Sequence, residues 1–231
     1  MFKIVRKKEL NSAVTLMEIE APFVAKKAKA GQFIIFRVDE TGERVPLTIA
    51  GYDREKGTVA IIFQKVGLTT KMLGAMNEGD YIQDFVGPLG KPTNTEGIKR
   101  VCVVGGGVGC AIALPSAQAF KEAGAEVDVI VGFRSKDIVI LEDEFKACSD
   151  HLYLMTDDGS YGEKGFGTVK LQQLLESGIL RPAAQVRRSG GLADPEGLSD
   201  LLEAHASPVT VGLLRAEPGT ALPDWEESHA G

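Results

Sequence analysis

The sequence predicts an antiparallel β-barrel followed by an α/β unit built on a parallel sheet. Two observations carry this reading. Up to about residue 90, short apolar stretches recur with little but turn residues between them; from residue 98, strand-length apolar runs alternate with helical stretches. Closely spaced strands without long intervening helices suit an antiparallel barrel. Strand–helix–strand order implies parallel strands joined by right-handed crossovers. The expected divisions are a barrel over 1–95, an α/β domain over 98–178 and an atypical segment over 179–231.

In the first part the clearest strands are 13–19, 32–38 and 58–63, with exposed hairpin connections at 39–43 and 53–57. The polar stretch 91–97 (KPTNTEG) has no periodicity and marks the boundary. Beyond it, a buried strand over 100–104 meets a glycine cluster and then an Ala-rich helix ending near Gly124. A second buried strand over 127–131, a helix around 142–148, a strand over 151–155 and a helix over 169–177 complete the pattern.

Composition narrows the function classes. Of the residues, 44% are hydrophobic and 25% charged, as in a soluble globular protein, and the longest apolar runs are strand-length, far short of a membrane span. The formal net charge of −6 and the lack of a basic stripe argue against nucleic acid as a partner. No charged-then-apolar leader opens the chain, so a cytoplasmic location is expected. The three cysteines have no C-x-x-C spacing and read as reduced thiols rather than metal ligands; no metal site is expected. With only three histidines and no Ser-His-Asp, Cys-His or paired-carboxylate arrangement, no catalytic side chain is assigned.

The glycine cluster is the first chemical signal. Residues 101–104 (VCVV) form a central strand, and Gly105, Gly106, Gly107, Val108 and Gly109 turn the chain into a helix. Backbone without Cβ atoms approaches a pyrophosphate closely, with the charge facing the helix N-terminus, as in a Rossmann-like nucleotide-binding unit. Two departures stand out: the last fingerprint position is Cys110, and no acidic residue closes the second strand, Asp128 lying inside it. A glycine turn that serves only helix–sheet packing is the plainer alternative. Arg134, Ser135 and Lys136 follow the second strand, where the adenosine end of a nucleotide lies. Their cations suit a 2′-phosphate or are ordinary solvated residues. Asp157, Asp158, Gly159 and Ser160 form a loop after the third strand, at the edge where such sheets bind ligands; turn chemistry explains the same residues.

In the first part, Arg44, Pro46, Leu47 and Thr48 place a cation and a hydroxyl at the start of a strand. A flavin needs both, for its pyrophosphate and its ring edge. Gly67 opens a turn, after which Thr69 or Thr70 is expected to cap a short helix whose N–H groups suit phosphate.

Taken in order, six segments resemble the ferredoxin–NADP reductase superfamily: 46–50 (PLTIA), 64–70 (QKVGLTT), 87–90 (GPLG), 105–109, 132–137 (GFRSKD) and 156–167. Within it they are most similar to the small subunit of NADH-dependent ferredoxin:NADP oxidoreductase (sulfide dehydrogenase) and to the electron-transfer subunit of dihydroorotate dehydrogenase. The resemblance covers residues 1 to about 178. It implies FAD in the barrel, with Arg44, Pro46, Leu47 and Thr48 lining it and Gly67, Thr69 and Thr70 holding its pyrophosphate. It implies NAD(P)(H) between Gly105–Gly109 and Asp157–Ser160. The implied activity is hydride exchange between NAD(P)H and FAD, with electrons passed to a larger flavoprotein or iron–sulfur partner subunit and ferredoxin. A non-catalytic nucleotide-binding or partner-docking module, and a stand-alone NAD(P)H:acceptor diaphorase, are the alternative readings.

The resemblance also exposes departures. Against the superfamily's R-x-Y-S pattern, Arg44 stands one residue early and Leu47 replaces the aromatic, so a phosphate role for Arg44 requires a bulge, expected at Pro46. The [2Fe–2S] cluster of these relatives needs four cysteines, and none follows Cys148 here. All 16 lysines and all 10 phenylalanines precede residue 180. So sharp a shift points to a disordered tail or to one translated in a shifted reading frame, with one modest helix expected at 198–204.

Overall fold

In the computed structural model, residues 1–180 are described in full, together with the backbone of three strands beyond them. The first sheet contains β1 (Phe2–Glu9), β2 (Val14–Glu20), β3 (Phe33–Arg37), β4 (Val45–Asp53), β5 (Thr58–Gln64), β6 (Tyr81–Ile82) and β7 (Asp84–Leu89). Its order is β6-β1-β2-β5-β4-β3-β7, with every pairing antiparallel. The two outer strands, β6 and β7, are consecutive in the chain and separated only by Gln83, whose N–H donates to the carbonyls of Arg37 and Val38. The order therefore bends round into a near-closed barrel, which removes the exposed edges that open sheets carry.

Alternation along the strands fills the interior with Ile4, Met17, Ile19, Ile34, Phe36, Ile49, Ile61, Phe63 and Phe85. Two short helices bury residues against this core. Helix α1 (Pro22–Lys27), which carries no periodic signal in the sequence, contributes Val24 and Ala25, and α2 (Leu68–Ala75) contributes Leu73. The expected bulge at Pro46 is not there. Val45 to Thr48 pair with β3 in unbroken register, and β4 slips instead between Ile49 and Gly51 against β5. The aliphatic residues on β3 fix the register at Pro46, so the extra residue is accommodated further along, at Ala50.

The second sheet holds β8 (Arg100–Gly106), β9 (Glu126–Phe133), β10 (His151–Thr156) and β11 (Glu163–Lys164), all parallel. Helices α3 (Cys110–Glu122), α4 (Glu142–Cys148) and α5 (Gly167–Glu176) connect or flank them. Backbone strands β12 (Pro182–Arg188), β13 (Gly191–Ala193) and β14 (Val211–Ala216) extend this sheet, β14 lying antiparallel beside β8. The helix expected at 198–204 lies outside the described residues. Among the described residues, no helix is long and apolar enough to cross a membrane.

One apolar cluster joins the two units. Val14, Ala50 and Ile62 of the barrel belong with Ala113, Leu114, Ala117 and Phe120 of α3 and with Val127, Val129 and Val131 of β9. Burial on both sides of this junction fixes where the barrel meets the carboxyl edge of the parallel sheet, which is where the candidate site lies.

Candidate functional site

Where β1 turns into β2, the barrel faces the carboxyl ends of β8 and β9 across a cleft of about 450 Å³. The barrel wall is Asn11, Ala13, Val14 and Gln64. The opposite wall comprises Val104–Val108, Gly132–Ser135, Ile138, Ile140, Asp157 and Phe166–Thr168.

The glycine turn owes its shape to packing below and conformation above. A Cβ at Gly105 would stand 3.2 Å from the Cβ of Ala113 and from Cα and Sγ of Cys110, so glycine lets α3 lie close on β8. Gly107 takes a φ of +52° and starts a short 3-10 turn that runs through Gly109 into α3. Gly105, Gly106, Gly107 and Val108 line the cleft, while Gly109 is buried beneath the start of α3. Cys110, at the fingerprint's last position, is fully buried, and desolvation holds its thiol protonated.

Beyond β9 the two cations separate. Arg134 lines the cleft, whereas the Lys136 ammonium lies over the Tyr161 ring at 5.1 Å from its centroid. Ser135 also lines the cleft, its hydroxyl donating to Asp137. In the loop after β10, Asp157 alone reaches the cleft, at its rim. Partial desolvation pushes the Asp157 carboxyl above the ordinary aspartate value, with Arg134 opposing. Asp158 is held low first by the Ser160 hydroxyl and then by the Ser160 N–H, which it accepts at 2.9 Å, and the Ser160 hydroxyl accepts the Lys136 N–H at 2.9 Å. Gly159 turns this loop at a φ of +75°. Asp158, Gly159 and Ser160 thus build the loop rather than the cleft wall.

Thr168 was not expected. The helix foreseen at 169–177 starts two residues earlier, at Gly167, which places Thr168 in its first turn and in the cleft wall. Its Oγ1 is buried, with no hydrogen-bond partner among the described residues. Buried hydroxyls are nearly always satisfied, so this one fits a site whose ligand completes it.

The residues expected around a flavin lie outside this cleft's lining: Arg44, Pro46 and Gly67 are exposed, Leu47, Thr48 and Thr70 half-buried, and Thr69 buried. Arg44 precedes β4 with its side chain 65% exposed; it stands 3.8 Å from Asp84, which is bound more closely by Arg37 at 2.7 Å. Pro46, Leu47 and Thr48 pair with Ile35, Ile34 and Phe33. Neither Thr69 nor Thr70 caps α2. Gly67 is the N-cap, and the Thr70 hydroxyl, three residues on, accepts the N–H groups of Gly67 and Val66 at 3.0 and 3.2 Å. Extended backbone is needed at the cap, and the hydroxyl reaches back from the first turn. Thr69 donates to the carboxylate of Glu43, so an anionic group already sits at the positive end of this helix. An exposed arginine, a helix N-terminus and a carboxylate in the place of an anion fit a pyrophosphate.

At the opposite edge of the parallel sheet, Glu126, Asp128 and His151 bring ligand atoms within 4.8 Å of one another. The Arg100 guanidinium stands 3.1 Å from Asp128 and 3.5 Å from Glu126, so that cluster already contains its cation. The three cysteines lie apart on β8, α3 and α4, all buried; burial pushes the Cys148 thiol up to about 11 and holds Cys102 higher still. Three dispersed, protonated thiols do not fit a [2Fe–2S] cluster.

No family model matches the sequence. Curated proteins do. The chain is 45% identical over 172 residues to the dihydroorotate dehydrogenase B (NAD(+)) electron transfer subunit homolog of Thermotoga maritima, a match covering 74% of this chain and 61% of that protein. It is 36% identical over 184 residues to the electron transfer subunit of dihydroorotate dehydrogenase B (NAD(+)) of Shouchella clausii, covering 77% of this chain and 70% of that one. Among solved structures, a chain of an NADH-dependent reduced ferredoxin–NADP oxidoreductase superposes with a TM-score of 0.72 at 43% identity, over 76% of this chain and 63% of that chain. The chain spans less than two thirds of the length of several curated relatives it matches. With the ferredoxin reductase-like barrel and sheet already described, these similarities make the chain a member of the dihydroorotate dehydrogenase B electron transfer subunit family.

Proposed function

We propose that the chain exchanges hydride between NAD(H) and FAD and passes the electrons to a partner protein. The observation that carries this is the cleft in which the barrel's Asn11, Val14 and Gln64 face the Gly105–Val108 turn. Gln64 in this wall stands three residues before Gly67, where the proposed flavin phosphate site begins, so a ligand held by the barrel there adjoins one held by the sheet edge. FAD, when bound, supplies the hydride-accepting and electron-releasing chemistry. The chain's residues bind and orient. Arg44 and the first turn of α2 hold the flavin pyrophosphate, with Glu43 leaving Thr69 as the phosphate arrives. The backbone of Gly105–Gly107 and the N-terminus of α3 hold the nucleotide pyrophosphate. The Thr168 hydroxyl and Arg134 orient its far end.

Asp157 favours NAD over NADP. A carboxylate at the rim accepts a ribose hydroxyl and repels a 2′-phosphate, while Arg134 is partly neutralised by it. The names of the relatives, which carry NAD(+), support the same choice. A partner subunit and ferredoxin remain the proposed acceptors, by analogy with those electron transfer subunits.

The test is to purify the chain, add FAD, and follow the flavin's visible absorbance on anaerobic addition of NADH or NADPH. Bound flavin that bleaches faster with NADH is the expected result. A protein that takes up no FAD would sink the proposal, and nucleotide binding without bleaching would make it a non-catalytic module.

A further inference from the structure

Asn11 occupies the turn between β1 and β2 and forms part of the cleft wall. Its Oδ1 accepts two backbone N–H groups, from Ala13 and Val14, each at 2.9 Å. Two donors on one side fix which end of the amide is oxygen, because the NH₂ group has nothing to accept with. The amide nitrogen is thereby turned outward, across the cleft, where Nδ2 donates to the Ile138 carbonyl at 3.2 Å. Ile138 closes a short 3-10 turn that directly follows Arg134 and Ser135. The same turn is tied to the next loop, since the Lys136 N–H donates to the Ser160 hydroxyl. One side chain therefore joins the barrel's first turn to both loops that border the nucleotide wall. A second polar tie, Thr93 to Ser116 at 3.1 Å, lies on the linker side and leaves the cleft untouched.

We infer that Asn11 is a positioning residue that sets the width of the cleft and hence the approach of the two redox ligands. This rests on the proposed hydride exchange, whose rate depends steeply on the separation of the reacting atoms. The turn needs only an acceptor at position 11; the clasp needs a donor as well. N11D separates these needs. Its carboxylate keeps both bonds to Ala13 and Val14, loses the donor, and sets a negative charge against the Ile138 carbonyl.

The experiment compares the full chain, N11D and N11A, loaded with FAD, by anaerobic stopped flow with NADH. N11D is expected to bind FAD at unchanged stoichiometry and to melt within about 2 °C of the parent, since the change is near the surface. Its rate of flavin reduction at saturating NADH should fall about tenfold while KM changes about twofold. N11A, which loses the acceptor as well as the donor, should be slow and also less stable. Parent-like reduction in N11D would overturn the inference. Hydrogen exchange over residues 134–140 in cofactor-free protein reads the clasp separately: faster exchange there in N11D, with β2 unchanged, supports it, and equal exchange refutes it. If the parent itself takes up no FAD or is not reduced by NADH, the proposed function fails, and the exchange result alone decides the clasp.

Discussion

The glycine turn at the sheet edge is packed tightly from below, whereas the barrel leaves Arg44 and Gly67 exposed. At the carboxyl ends of β8 and β9, glycines are there because other atoms leave no room: Gly105 lies against Ala113 and Cys110, and the Thr168 hydroxyl is buried. On the barrel, Arg44 is 65% exposed, and a Cβ at Gly67 would come no closer than 3.9 Å to the Thr70 hydroxyl. A parallel sheet makes a pocket from topology, since strand ends and helix starts converge there whatever else the chain does. The interior of this near-closed barrel is filled by side chains, which leaves its outside for binding. Substitutions at the sheet edge should therefore damage fold and binding together, while those on the barrel should damage binding alone.

The largest effect is expected at Gly162. Its φ is +65°, and a Cβ there would run into the carbonyl oxygen of Leu154, so G162A should cost roughly 3 kcal/mol in urea unfolding and displace the 157–160 loop. G105A should cost about 1–2 kcal/mol by pushing α3 off β8, with NADH affinity falling alongside. If either leaves stability unchanged, the sheet edge is looser than its contacts indicate. R44A makes the opposite case. Loss of an exposed charge should leave stability within about 0.5 kcal/mol, yet FAD binding measured by fluorescence titration should weaken about tenfold, or about 1.4 kcal/mol.

Two aspartates sharpen the comparison through pH. Asp157 is held above its ordinary value by desolvation, so its contribution to stability is lost as pH rises from the unfolded value through the folded one; at neutral pH D157N should be slightly stabilising. Asp150 is held low, first by Lys121 and then by the Val127 N–H. Its contribution is present above the unfolded value and lost as pH falls through the folded one, so D150N should destabilise at neutral pH and little in acid. Chemical denaturation across pH 3–8 for both variants checks the opposite signs. D157N should also narrow the preference for NADH over NADPH severalfold in steady-state kinetics. The smallest effect is expected for G67A, a few tenths of a kcal/mol at an uncrowded N-cap.

What was legible in the sequence was what is local. The Gly105–Gly109 turn declares itself because strand, glycines and helix are contiguous, and so does the order of strands on either side of the linker. Asn11 and Gln64 were not legible as cleft residues, since each becomes one only when the barrel docks on β8 and β9. Thr168 escaped because Gly167 is a poor helix former, which hid the true start of α5. The misplaced bulge has the same cause: Pro46 looks like the irregular residue in isolation, but pairing with β3 decides where β4 slips.

The apolar cluster that unites Val14, Ala50 and Ile62 with α3 and β9 has a thermodynamic corollary. Neither half can open without wetting the other's interior, so heat should melt barrel and sheet in one cooperative step, and a fragment cut at the linker would expose a greasy scar on both pieces.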